Sequence, residues 1–261
     1  MSKVNRHRQR LPGWVQVLAS AVFLGTLFFT WWFFTHFLNV ESWIFPTPEA
    51  FMQRFIVEVQ RTQLWEAVAV TLLEAILGSL LGAAVALPLA YCIYRFRFIS
   101  AAIEPFLGVT QAIPAIALAP LLVLWFGYGL APIVFLCAML VFFPILIATT
   151  IGLRRLDQEI IEAAVLDGAA GLVLLKNVEI PLALPAILGG VRNGFTLSIT
   201  GAVVGELVMG GNGLGSILTA QRNAVDTVGM FVTIALLCTL AMIFYGVIYF
   251  FERRSKLVNL D

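Results

Sequence analysis

The chain has 261 residues, 61% of them hydrophobic and 12% charged, with a formal net charge of +1. A water-soluble domain carries about twice that charged fraction, and the mean hydropathy of +0.96 excludes one here. The chain reads as an integral membrane protein, and the net charge by itself indicates no class of partner.

Apolar runs near 20 residues recur along the sequence, the length at which a helix crosses a bilayer. None alternates apolar and polar residues as a barrel strand does, so the expected fold is all-α with about six transmembrane helices. A basic tail, 1–13, carries Lys3, Arg6, Arg8 and Arg10, and a first span follows at 14–37. That run is too long for a signal-peptide core and has no cleavage site behind it, so it is expected to be retained. Segment 38–65 holds Pro46 and Pro48, then Phe51, Phe55 and Val59 at helical spacing among charges, the pattern of a short amphipathic helix at the membrane surface. Further spans are expected at 66–94, at 106–125 with Pro114 and Pro120, and at 131–153 with Pro132 and Pro144. After a charged loop, 154–180, come spans 181–209 and 228–251, separated by a glycine-rich loop at 210–227. The tail 252–261 is again basic. No period of repeat length is visible, so one membrane domain, 14–251, accounts for the chain.

Six spans place both termini on one side. With the N-terminus inside, 12 of the 16 Lys and Arg residues fall in inner segments and only Arg54, Arg61 and Arg222 in outer ones. Basic residues favour the cytoplasmic side, so both termini and loop 154–180 are expected in the cytoplasm.

That loop is the most polar stretch between spans. Asp157 suits a helix N-cap, where its carboxylate meets free N–H groups. Ile160, Ile161, Ala164 and Val165 form one apolar stripe, and Gly168 permits a turn toward a second short helix at 169–177. Pro181 suits the start of the next span. The spacing Glu162-Ala163-Ala164, three residues, Gly168, nine residues, Val178-Glu179-Ile180-Pro181 resembles the loop of ABC-importer membrane subunits that meets the ATP-hydrolysing subunit. Thr71-Leu72-Leu73 to Gly78, Ile113-Pro114-Ala115, Ala119-Pro120-Leu121-Leu122, Trp125-Phe126-Gly127, Val204-Gly205-Glu206-Leu207 and Gly213-Leu214-Gly215 extend the likeness. From about residue 46 to 254 the chain resembles permeases of the branch that serves nitrate, sulfonate, taurine and some vitamins or their precursors.

The resemblance implies a type I ABC-importer permease fold in the cytoplasmic membrane, with no enzyme activity in this chain. It implies two permease copies side by side, two ATP-binding subunits and an extracytoplasmic binding protein. Asp157, Glu162, Ala163, Ala164, Asp167, Gly168, Ile180 and Pro181 would form the coupling loop. One departure stands out: many members carry Arg where this chain has Glu74, which argues against an anionic cargo.

No G-x-x-x-x-G-K-[S/T] phosphate loop occurs, because the three lysines follow Ser2, Leu175 and Ser255. ATP is therefore expected on a partner subunit, with no cofactor in this chain. Cys92, Cys137 and Cys238 form no C-x-x-C pair, and His7 and His36 sit in no ligand pattern, so neither a disulfide nor a metal is expected. No nucleic-acid partner is expected either. Glu74, Arg192 and Glu206 are ionisable residues within spans, where a charge is costly and faces a partner or a watery path. With Gln111 and Asn193, and the more weakly indicated Thr196, Ser198 and Thr200, they are the candidates for a translocation pathway. Gly210, Gly211, Gly213 and Gly215 are the candidates for an outer gate loop. Gly78 and Gly82 have the spacing of tight helix packing. An ion-coupled secondary transporter with Glu74 or Glu206 as proton site is the alternative, and a membrane enzyme has no supporting constellation. Among cargoes, a vitamin or heteroaromatic precursor such as riboflavin or the thiamine pyrimidine is preferred over sulfonate, taurine or nitrate.

Overall fold

The computed structural model describes residues 13–37, 41, 43–110 and 114–254, and all regular structure among them is helical. The helices are α1 (Gly13–Phe37), α2 (Pro48–Val59), α3 (Thr62–Arg95), α4 (Arg97–Thr110), α5 (Ala115–Phe126), α6 (Leu130–Arg154), α7 (Gln158–Leu166), α8 (Gly171–Leu174), α9 (Ile180–Met209), α10 (Leu214–Asn223) and α11 (Thr227–Arg254). Five stretches are long and apolar enough to cross a membrane: Leu18–Phe37, Thr62–Arg95, Leu130–Arg154, Gly171–Met209 and Thr227–Phe250.

Helix α6 is the hub, packed most extensively against α9 and α3. Ala75, Leu122, Ile133, Leu136, Cys137 and Ala202 form one buried cluster. Ala86, Ala90, Ile93, Val141, Ile145 and Leu146 form a second, nearer the other end of α3. Small residues let the backbones approach: a Cβ added at Gly82 would lie 2.7 Å from the carbonyl oxygen of Ala138. The close-packing role expected of Gly78 and Gly82 is therefore what the structure has, with both glycines turned into α6.

Helix α1 stands apart. Phe23, Phe28, Phe29, Phe33 and Phe34 are exposed, as suits side chains facing lipid. Trp31 anchors it, donating its ring N–H to the carbonyl of Pro46 at 2.9 Å and packing edge-on against Phe45 and Phe51. Thr47 caps α2 by accepting from the amide of Ala50 at 3.2 Å, and Pro48 occupies the first turn, where its missing N–H costs nothing. The polar side of α2 joins an ion network: Arg54 reaches Glu58 at 2.9 Å and Asp226 at 2.6 Å, and Arg61 reaches Glu58 at 3.1 Å.

Three expectations change. The span expected at 106–125 is not one helix: α4 ends at Thr110 and α5 begins after Pro114, whose extended backbone (φ −68°, ψ 112°) starts a new helix. The loop expected at 210–227 contains α10. The separate helix expected at 169–177 is instead continuous with the following span. Leu175–Glu179 forms a π-helical turn in which the amide of Ile180 bonds to the carbonyl of Leu175. Pro181 supplies the reason. It has no N–H for the carbonyl four residues back and its ring crowds that carbonyl, so the helix widens by one residue rather than ending.

Candidate functional site

Two constellations carry the polar chemistry. The first is the connection between α6 and α9. Asp157 caps α7 and accepts from the amide of Glu159 at 3.0 Å. At the other end, the amide of Ala169 donates to the carbonyl of Ala164 (2.9 Å) and that of Gly168 to Val165 (3.0 Å). This double closure needs a left-handed residue at its second position, and Gly168 holds φ +89° with nothing within 4 Å of where a side chain would start. Glu162, Ala163 and Asp167 are exposed and Ala164 is half-buried. Ile160, Val165, Leu166, Leu172 and Val173 are exposed apolar residues around the turn. Ile180 is exposed and Pro181 half-buried, one turn beyond. An apolar cap ringed by acids is the kind of exposed surface that favours contact with another protein. Replacing Asp157 with alanine should cost α7 about 1 kcal/mol. Faster amide exchange at 159–161, with the spans unaffected, is the measurement that checks it.

Sequence reasoning missed the support behind this surface. Glu179, the last residue of the π-turn, is buried and accepts from the hydroxyl of Tyr94 at 3.2 Å. The last turn of α3 is thereby tied to the segment that carries α7 and α8. An acid within the Val178-Glu179-Ile180-Pro181 run was the available signal.

The second constellation lies at the opposite end of α3 and α9. Thr71, Glu74 and Glu206 are each at most 2% exposed. The Thr71 hydroxyl donates to Glu206 Oε1 at 2.6 Å and accepts from the amide of Leu214 at 2.9 Å. The amide of Gly215 donates to Glu206 Oε2 at 2.5 Å. Helix α10 follows Gly213, which has no side chain to cap it, so α3 and α9 supply its caps. Glu74, one turn beyond Thr71 on α3, is also buried, and its Oε2 has no hydrogen-bond partner among the described residues. Gly213 and Gly215 are buried against this group, whereas Gly210 and Gly211 are exposed. Outside them a cleft of about 780 Å³ opens between α2, α3 and α10, lined by Arg54, Glu58, Glu66, Asn212, Ser216 and Asp226.

The expected pathway residues are thus divided. Glu74, Glu206 and Ser198 point into the protein interior. Asn193 and Thr200 are exposed on one face of α9 with Leu197 and Val208. Arg192 lies over the rings of Tyr245 (5.1 Å) and Tyr249 (5.6 Å) of α11, and Thr196 bonds back to its carbonyl at 2.9 Å. Gln111 lies outside the described residues.

Comparison with known proteins completes the description. A family model described as the inner membrane component of binding-protein-dependent transport systems matches residues 78–257. The riboflavin transport system permease protein RibX of Chloroflexus aurantiacus is 39% identical over 212 residues, which is 81% of this chain and 79% of that protein. The formylaminopyrimidine transport permease protein ThiX of Halalkalibacterium halodurans is 28% identical over 233 residues, 89% of this chain and 92% of that one. Among solved structures, the MetNI methionine ABC transporter in an inward-facing conformation superposes with a TM-score of 0.64 at 20% identity, over 73% of this chain and 94% of the other. That likeness concerns the fold.

Proposed function

This chain belongs to the family of binding-protein-dependent transport inner membrane components, the permease subunits of ABC importers, and we propose that it moves a small heteroaromatic solute inward by alternating access. ATP hydrolysis is assigned to a separate subunit docked on the surface around α7. Two copies of the permease stand side by side in the cytoplasmic membrane, with both termini inside, and an extracytoplasmic binding protein delivers the cargo.

The observation that carries this reading is the docking surface itself. Asp157 and Gly168 fix both ends of α7, and the exposed Leu166 and Leu172 (89% and 78%) present apolar area that water does not favour. Nucleotide-driven movement of the docked subunit shifts the balance of inward- and outward-open states only through contacts that differ between them. The continuous helix from α8 into α9 carries that difference into a span. Asn193 and Thr200, on the exposed face of α9, are the pathway residues that this structure favours.

A vitamin-like cargo is supported by the relatives named for riboflavin and formylaminopyrimidine transport. The test is to purify the complex with its binding protein and identify the bound ligand by mass spectrometry. A flavin or aminopyrimidine is the expected result, and a sulfonate or nitrate would overturn the cargo assignment. Uptake into vesicles that follows an ion gradient in the absence of ATP would overturn the importer reading.

A further inference from the structure

Exposed charge at the α7 end of the molecule is segregated. Asp157, Glu159, Glu162 and Asp167, on α7 and its caps, are all exposed acids. The basic residues lie apart from them. Arg95-Phe96-Arg97-Phe98 joins α3 to α4 and Arg154-Arg155 ends α6, and all six side chains are exposed. The Arg154 guanidinium donates to the Ser100 hydroxyl at 2.9 Å, which brings the two basic pairs to one place. Arg95, Arg97 and Arg155 join none of the salt bridges among the described residues. The aromatic members are set outward. Ile99 and Ile103 turn one side of α4 onto the second buried cluster, whereas Phe98 is 86% exposed.

We propose that Arg95, Arg97, Arg154, Arg155 and Phe98 form a binding site for an anionic phospholipid of the leaflet on the α7 side, with the phosphate on the guanidinium groups and the first acyl carbons on Phe98. Depth supports it. Helix α6 rises about 36 Å from Leu130 to Arg154, and the hydrocarbon core is about 30 Å thick. Trp125 and Tyr128, exposed just before Leu130, suit the far interface, so Arg154 stands in the near headgroup layer. Arginine presents a planar fork of N–H donors that matches phosphate, and clustered basic residues at a membrane surface attract anionic lipid. An aromatic ring held outward among them suits the boundary between headgroups and chains. A protein with an acidic surface is the competing occupant, and Phe98 at headgroup depth favours lipid over it. Arg155 is the C-cap of α6, two residues before the Asp157 cap of α7, so a bound headgroup also holds the approach to α7. The site stands on charge and depth, independently of the transport reading.

The experiment titrates the full chain, stripped of lipid in detergent, with phosphatidylglycerol and counts bound lipid by native mass spectrometry. Phosphatidylcholine with the same acyl chains is the arm without net charge, and inorganic phosphate is the arm without chains. Phosphatidylglycerol should bind the parent more than about tenfold more tightly than phosphatidylcholine, since each arginine near a surface contributes roughly a fivefold preference for anionic lipid. Inorganic phosphate should not displace it. R95Q/R97Q should lose about fivefold for each arginine, and F98A should lose affinity that F98W keeps. R222Q makes the same kind of charge change on an exposed residue of α10, at the other end of the molecule, and should match the parent. Equal affinity for the two lipids overturns the site, as does displacement by phosphate or an equal loss in R222Q and R95Q/R97Q. Parental binding by R95Q/R97Q also overturns it, and with loss of the co-purified ATPase subunit would assign the patch to that subunit. If R95Q/R97Q does not fold, quenching decides. The emission that F98W adds to the parent must be quenched more by brominated phosphatidylglycerol than by brominated phosphatidylcholine, and equal quenching overturns the proposal.

Discussion

Gly168→Val should lower substrate uptake roughly tenfold while leaving the spans folded, since left-handed backbone costs an L-residue about 1–2 kcal/mol and a β-branched one more. The position has φ +89° and open space around it. Nothing inside the chain is pushed; what changes is the Schellman closure that ends α7 and sets the orientation of Glu162, Ala163 and Leu166, the proposed contact with the ATPase subunit. The measurements are uptake by the reconstituted complex, co-purification of the ATPase subunit and the thermal melt of the permease alone. Uptake and co-purification should fall together and the melt should not move. If uptake and co-purification both survive unchanged, the docking assignment is wrong. Gly168→Ala, with a smaller side chain at the same backbone angle, should fall between the two.

Gly82→Leu should leave no folded protein. The first side-chain atom would meet the carbonyl oxygen of Ala138 at 2.7 Å and Val141 Cβ at 3.1 Å. A backbone atom cannot swing aside as a side-chain tip can, so α3 and α6 must separate along their shared seam. Overpacking a filled interior costs about 1–3 kcal/mol for modest additions, and an isobutyl group between two backbones exceeds that range. Gly246→Leu is the matched control. Gly246 has nothing within 4 Å and lies within α11, where leucine has the better helix propensity by just under about 1 kcal/mol. Size-exclusion profiles in detergent decide between them: aggregate or no yield for G82L, a parental peak for G246L. A parental peak for both would mean that the α3–α6 seam is looser than described.

How much of this was legible beforehand depends on which scale of interaction decides each feature. Hydrophobic length marked α3, α6, α9 and α11, because a span is specified by consecutive residues. The cap at Asp157 and the turn at Gly168 were legible for the same reason, since both lie within one helical turn of what they control. The break between α4 and α5 was hidden, because prolines within an apolar run are compatible with either a kinked span or two helices. Helix α10 was hidden more deeply. Its sequence, Leu214–Asn223, is short and only weakly apolar, and its first amides are capped by Thr71 and Glu206 from residues 143 and 9 positions away. The acid pair was invisible as a pair. Glu74 and Glu206 each read as a lone charge in a span, and only the packing of α3 beside α9 turns both away from an open path and into the interior.

The π-turn at Leu175–Glu179 has a consequence of phase. One residue is about 100° of rotation in an α-helix, and a π-turn holds one residue more than the regular winding would. Side chains of α8 are therefore offset by one position from the angular sequence of α9. The residue count before Pro181 sets which α8 side chains line up with each position of α9, independently of the residues proposed to dock. The orientation of the proposed docking surface is thus written as a residue count in front of Pro181, separately from its chemistry.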